Sequence, residues 1–239
     1  MWYVWNLFWK RVFDIVICSV ALIILFPLWV GIGIAIKCDS KGPVLFSQGR
    51  RTVNGRVFQM YKFRSMVVGA EKMDGGLFNF ENDPRVTKVG RWLRDTSLDE
   101  LPQLWNVLKG DISLVGPRPC VTYELGDFDT LNSKYKKRFE VRGGITGLAQ
   151  VKGRNENSWD EKVTYDNQYI EQFKKQGLFL DAKILLETVL GVFQRKNICE
   201  EKVDDSLNDA EAARLAEAEI IRIAHLPDME ETMATSMKS

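Results

Sequence analysis

From Ile15 to Ile36 the chain runs 22 residues without a charge, and a helix needs about 20 apolar residues to cross a bilayer. The run is too long for a signal-peptide core, and no small-residue cleavage pattern follows it. At this length a buried helix of a soluble protein is the weaker reading. Trp2, Tyr3, Trp5, Phe8, Trp9 and Trp29 are amphipathic aromatics suited to the headgroup region. Lys10 and Arg11 precede the run, while Lys37, Lys41, Arg50 and Arg51 follow it. The positive-inside rule therefore wants both flanks in the cytoplasm. Pro27, near the middle, removes a helix hydrogen bond and bends the axis. Asp14 stands three residues after Arg11, within reach of an ion pair at the membrane interface. These residues favour a helix–break–helix that dips into one leaflet and returns. A Pro-kinked spanning helix is the alternative.

A chain of 239 residues suits one domain with an appendage. Its net charge of +1 hides an asymmetry. Residues 200–239 carry eleven Asp/Glu against four Lys/Arg, a net of −7, which leaves +8 on the remainder. A basic body suits an anionic substrate, an anionic lipid surface or both. No nucleic-acid motif accompanies the charge, so nucleic acid is not an expected partner. The acidic stretch reads as a solvated tail with a helix over 209–224, ending before Pro227, and a docking helix is the alternative. Cys18, Cys38, Cys120 and Cys199 are scattered, with no CxxC, and read as reduced thiols. The one histidine, His225, lies in the tail. Acid–base or metal chemistry in the body therefore falls to carboxylates, Lys or Tyr.

Residues 94–119, RDTSLDELPQLWNVLKGDISLVGPRP, hold adjacent carboxylates, Asp99 and Glu100, and an arginine fixed between prolines, Pro117-Arg118-Pro119. Ser97 and Glu100 have the S-x-x-E spacing of a capping box, and Leu101, Leu104, Trp105 and Leu108 recur at helical spacing. Pro102 is tolerated only near the first turn, and Gly110 is a natural stop. A helix start here favours a phosphoryl group and an ionised Asp99. Such a carboxylate can be a nucleophile, and Glu100 could hold Mg²⁺ beside substrate phosphates. Taken alone, the dyad reads first as a plain cap and dipole partner.

Around this block, Gly42 to Met66 reads as a β-hairpin. Val44–Phe46 and Val57–Tyr61 flank an Asn54-Gly55 turn. Its basic residues Arg50, Arg51, Arg56, Lys62 and Arg64 suit a solvated edge facing lipid. Lys62-Phe63-Arg64 could face a diphosphate, with a fork and a point charge, although on its own it reads first as a plain surface strand. Pro84 to Arg94 reads as a basic amphipathic helix with Val86, Val89, Trp92 and Leu93 on one side, a stripe that suits a membrane interface but is more commonly buried in a core. Gly143 to Arg154 reads as a glycine-punctuated loop without a strand–loop–helix context. Leu178 to Phe193 reads as an apolar helix able to lie on a membrane.

With these pieces in order, residues 8–197 resemble the bacterial monotopic phosphoglycosyl transferases, the sugar transferase family. The 94–119 block carries the resemblance. Lys10-Arg11…Asp14, the Pro-broken apolar helix, Lys62-Phe63-Arg64-Ser65-Met66 and Gly144-Ile145-Thr146-Gly147-Leu148-Ala149-Gln150 follow in matching order. The resemblance implies transfer of a sugar-1-phosphate from a UDP-sugar to polyprenyl (undecaprenyl) phosphate with release of UMP. It implies Asp99 as nucleophile forming a covalent phospho-sugar intermediate, and Glu100 as the Mg²⁺-binding partner. Lys62, Arg64, Arg94, Arg118 and Arg154 match basic positions that would hold phosphates and uridine. The implied fold is membrane-associated α+β: a re-entrant Pro-broken helix over about 11–36, a short hairpin, and interfacial helices around a cytoplasmic active site. Residues 1–199 would form the membrane-anchored transferase domain, at the bacterial inner membrane with both ends of the segment cytoplasmic. Residues 200–239 would form an acidic, partly helical tail. The reaction would be the first membrane step of a surface polysaccharide or glycoconjugate. Gly143 and Lys152 stand where many relatives have Pro and Asn, which bears on sugar specificity. A Mg-dependent nucleotide-sugar hydrolase and a non-enzymatic membrane scaffold for glycan assembly are the rival classes. A homodimer, or glycan-assembly partners held through the tail, stays open.

Overall fold

The computed structural model describes residues 2–70, 73, 83–153, 158–193 and 218–226. In chain order the elements are α1 (Trp2–Asp39), β1 (Leu45–Arg51), β2 (Val57–Phe63), α2 (Lys88–Asp95), α3 (Gln103–Lys109), β3 (Ser113–Val115), β4 (Cys120–Val121), α4 (Ser133–Lys137), β5 (Gly144–Thr146), α5 (Leu148–Lys152), α6 (Trp159–Gln176) and α7 (Leu178–Phe193). The protein is thus mixed helix and sheet. One sheet has the order β2-β1-β4, with antiparallel pairing, and β3 pairs in parallel with β5.

The apolar run forms a single helix, long and apolar enough to cross a membrane, and Pro27 lies inside it. The helix–break–helix expected from the sequence is therefore continuous in secondary structure. A proline in a helix interior can kink it while forfeiting one hydrogen bond. Both ends of α1 pack on the same body. Near its start, Arg11 donates to the carbonyls of Val107 and Leu108 at the end of α3, at 2.6 and 2.8 Å. Asp14 accepts from Ser113 Oγ at 2.7 Å and the Leu114 N–H at 3.1 Å, and Lys10 pairs with Asp181 of α7. The Arg11–Asp14 pair suggested by spacing does not form; each side chain instead joins α1 to a different element. Near the other end, Ile32 and Ile36 are buried with Phe63 and Leu93. Between these anchors Ile23, Ile24 and Phe26 are exposed.

The hairpin forms as the turn chemistry predicts. Leu45 pairs with Phe63 and Arg51 with Val57, and Asn54 and Gly55 both take positive φ, 55° and 71°. Of its arginines only Arg56 is solvated; Arg50 and Arg51 are partly buried and Arg64 is buried. Arg51 donates to Gly126 O, Arg56 to Gly110 O, and Arg64 to Pro43 O, Ser40 and Lys41 O.

Helix α2 starts at Lys88, capped by Thr87 Oγ accepting from the Gly90 N–H at 3.0 Å. It is shorter than the helix expected from Pro84. Gly90 lies against Ser65, where an added Cβ would come within 1.9 Å of the Ser65 carbonyl. The described part of the glycine-punctuated segment, 143–153, is not a bare loop. It is the strand β5, Gly147 and then α5, so a strand–loop–helix context exists after all, although three-residue strands leave no periodicity to read. Helix α7 has the bounds expected, and its Phe179, Leu186, Val189 and Leu190 face outward.

The described part of the tail is docked rather than solvated. Residues 218–224 are helical, Ala224 is fully buried in a cluster with Leu125, Leu131, Tyr135 and Phe139, and the Asn132 N–H donates to Ala224 O at 3.0 Å. The other residues of 200–239 lie outside the described residues.

Candidate active site

The carboxylate pair sits on a single 3-10 turn, Leu98–Glu100, between α2 and α3. Ser97 does not cap it. Its backbone is left-handed (φ 56°) and its side chain makes no cap bond. The Ser97 capping box expected from S-x-x-E is therefore absent, because Glu100 is drawn elsewhere. The same spelling at Ser158-Trp159-Asp160-Glu161 does form a reciprocal capping box, at the start of α6. Helix α3 begins after Pro102 and stops at Gly110, which is left-handed at φ 83°. Its inward face is Gln103, Leu104, Asn106 and Val107, whereas Trp105 faces out.

Two cations hold Glu100. Lys62 Nζ lies 2.8 Å from Oε1. Arg118 grips the carboxylate with both terminal nitrogens, Nη2 on Oε1 and Nη1 on Oε2. Arg118 Nη1 also donates to Ile145 O at 3.2 Å. Asp99 is treated differently. It is 8% exposed, its nearest described cation is Lys62 at 3.8 Å, and it accepts no hydrogen bond from any described residue. A buried carboxylate left without donors is costly.

The two acids are pushed apart in acidity. Burial raises Asp99 above the ordinary carboxylate range, with Lys62 the largest opposing influence. Burial would raise Glu100 too, but Arg118 and then Lys62 outweigh it and hold Glu100 well below that range. Glu100 in turn holds Arg118 charged. A helix start favours an ionised Asp99, whereas burial acts the other way and prevails.

Among the sequence-predicted residues, Asp99, Glu100, Lys62 and Arg118 come together. Arg94 stands close enough to act on Asp99 and donates Nε to Ser65 Oγ at 3.0 Å. Arg64 is not brought to the dyad; it clamps the 40–43 turn after α1. Arg154 lies outside the described residues. Sequence reasoning missed Arg50, which lies near Arg118 and Glu100. Phe46 pairs with Lys62, and Arg50 is four residues further along β1, so strand alternation puts it on the same face as Lys62.

Among the described residues no group of three or more His, Cys, Asp or Glu could hold a metal. Asp99 and Glu100 still supply hard oxygens, and Mg²⁺ commonly takes one or two carboxylates plus substrate phosphates and water. Both Glu100 oxygens already accept from Arg118, and Oε1 from Lys62, so an ion held by Glu100 would share those oxygens with the two cations and take the rest of its shell from substrate.

The family model described as Bacterial sugar transferase matches residues 5–195. The galactosyl transferase CpsE of Streptococcus agalactiae serotype III is 43% identical over 202 residues, covering 77% of this chain and 42% of that protein. The UDP-glucose:undecaprenyl-phosphate glucose-1-phosphate transferase of Klebsiella pneumoniae is 43% identical over 197 residues, 80% of this chain and 42% of that protein. An uncharacterized sugar transferase, EpsL, of Bacillus subtilis is 41% identical over 194 residues, covering 79% of this chain and 89% of its own length. The chain thus spans about two fifths of the first two relatives.

Proposed function

We propose that this chain, which belongs to the bacterial sugar transferase family, transfers a sugar-1-phosphate from a UDP-sugar to a polyprenyl phosphate. One observation carries the reading: a buried carboxylate, Asp99, without hydrogen bonds from described residues, stands beside a second acid clamped by Lys62 and Arg118. Asp99 Oδ attacks the phosphorus that bears the sugar, and the bond from that phosphorus to the bridging oxygen breaks. UMP departs with the bridging oxygen. A phosphate oxygen of the polyprenyl acceptor then attacks the same phosphorus, and Asp99 leaves as a carboxylate. Lys62, Arg94 and Arg118 supply positive charge where the diphosphate sits, and phosphoryl transfer needs mainly positioning and charge neutralisation. Mg²⁺ bound by Glu100 would neutralise charge on the donor diphosphate. The two clamping cations keep Glu100 ionised and Lys62 aimed at the dyad.

In this reading α1 enters one leaflet and returns, with the site at the cytoplasmic face of the inner membrane. Both ends of α1 packing on one body support it. A helix crossing the bilayer would separate those ends by its hydrocarbon thickness. Residues 1–199 form the catalytic unit and 200–239 an acidic appendage. The product is a lipid-linked sugar diphosphate, the first membrane-bound intermediate of a surface polysaccharide or glycoconjugate.

Sugar-labelled UDP-glucose, UDP-galactose and N-acetylated UDP-sugars, incubated without acceptor, test the covalent step. The donor that the protein uses should release UMP in at most stoichiometric amount and leave label on the protein. UMP release without labelled protein would exclude the aspartyl intermediate. Catalytic UMP release independent of polyprenyl phosphate would favour the hydrolase. A pH profile adds a signed prediction. Only ionised Asp99 attacks, and burial raises its pKa, so activity is lost as pH falls through that raised value. The acid limb of kcat/KM should lie above about 3.9, the ordinary aspartate value. Lys62→Met should move it higher still, because Lys62 opposes the shift most. A limb at or below the ordinary value would refute the burial of Asp99 as the controlling influence.

A further inference from the structure

The Pro117-Arg118-Pro119 backbone is held at three successive carbonyls by three separate elements. The Gly144 N–H of β5 donates to Pro117 O at 2.9 Å. Arg138 Nη2, on the turn after α4, donates to Arg118 O at 2.8 Å. Arg50 Nη1 of β1 donates to Pro119 O at 3.0 Å. Arg138 is the most deeply set of the two arginines, 4% exposed. Its Nε donates to Asp166 Oδ2 of α6 at 2.9 Å, and its guanidinium lies 5.0 Å from the Trp159 ring and 5.4 Å from the Phe139 ring.

A buried Arg–Asp pair is a poor choice for stability alone, because desolvation consumes most of the Coulomb gain and an apolar pair often does as well. An apolar pair could not donate to the Arg118 carbonyl. The proline rings fix φ at 117 and 119, so the three carbonyl bonds fix most of what remains. What is left to Arg118 is its side chain, already committed to Glu100 and Ile145 O.

We infer that Arg138, oriented by Asp166, is a positioning residue for the transfer reaction, acting through the Arg118 backbone to fix the Arg118 guanidinium over Glu100. The inference rests on the function proposed above. Support of this kind, one step removed from the reacting atoms, is typically worth about ten- to a hundred-fold in activity. Lys in place of Arg138 keeps a charge for Asp166 but lacks the planar fork that reaches both partners.

The test is a double-mutant cycle on the full chain in membranes. UMP release is followed with polyprenyl phosphate and whichever UDP-hexose or N-acetylated UDP-sugar the unsubstituted protein uses. Arg138→Lys should lower kcat by about ten- to a hundred-fold with little change in KM. Arg118→Lys should also lower kcat, and the double variant should fall no more than about threefold below Arg118→Lys alone, since residues acting through one another are not additive. Asp166→Asn should repeat the pattern, and serves if Arg138→Lys does not fold. If Arg118→Lys slows turnover and the two losses multiply, the inference is overturned while the proposed site stands. Unchanged kcat in Arg138→Lys overturns it as well. Unchanged turnover in Arg118→Lys removes Arg118 from the proposed site, and the inference with it.

Discussion

Asp99→Asn should abolish transfer, with a loss of at least about a thousand-fold, the scale on which removing a nucleophile leaves only binding and charge stabilisation. The amide matches the carboxylate in shape, so substrate binding should survive, and labelled protein should vanish together with UMP release. The fold should not suffer. Asp99 is buried, accepts no hydrogen bond from described residues, and has its pKa raised by burial, so the neutral amide removes a desolvation cost. An unchanged or slightly raised melting temperature alongside lost turnover is the expected pair of results. Such a trade of stability for activity is the usual mark of a site residue. Full turnover by folded Asp99→Asn protein would end the nucleophile assignment and favour the scaffold reading.

Glu100→Gln should fail in another way. The amide cannot neutralise Lys62 and Arg118, which both rest on this carboxylate, so Arg118 loses its charged partner and Lys62 keeps only Asp99 at 3.8 Å. Turnover should fall by about a hundred-fold or more, the cost of losing one well-placed electrostatic contact in a site. The Mg²⁺ concentration for half-maximal activity should also rise by about ten- to a hundred-fold if Glu100 holds the ion. Chelation by EDTA should stop the unsubstituted protein, and added Mg²⁺ should restore it. A turnover loss with an unchanged Mg²⁺ requirement would make Glu100 a brace for the cations and no metal ligand. The melting temperature should fall here, opposite to Asp99→Asn, because a removed partner leaves charge uncompensated.

Much of this was legible in the residues because it is local. The hairpin announced itself through Asn54-Gly55, both of which take the left-handed backbone that turn chemistry requires. The end of α3 was legible in Gly110 for the same reason. The Ser97 cap failed because S-x-x-E spacing records only that a cap can form. Lys62 and Arg118, 38 and 18 residues from Glu100 along the chain, offered its carboxylate charged partners, and those outweigh a backbone N–H. Strands β3 and β5 escaped because a three-residue strand shows no alternation. Arg64 and Lys62 stand two residues apart in one motif, yet only Lys62 reaches the dyad. The chain turns back after α1 at residues 40–43, and its open carbonyls capture Arg64.

By itself the sequence determined the long apolar helix, the hairpin, the order of the motifs and the carboxylate pair with its proline-fixed arginine. Each depends on length, hydrophobicity or backbone preference within a few residues. Only the tertiary structure decided that both ends of α1 rest on one body, that Asp99 is buried while Glu100 is clamped, and that Arg50 and Arg138 hold the arginine turn. Those outcomes depend on which donors and carbonyls meet across the fold, as Asp14 meets Ser113 and Leu114 about a hundred residues away. Many side chains of the same charge compete for each such partner, and local spacing carries no record of which one arrives.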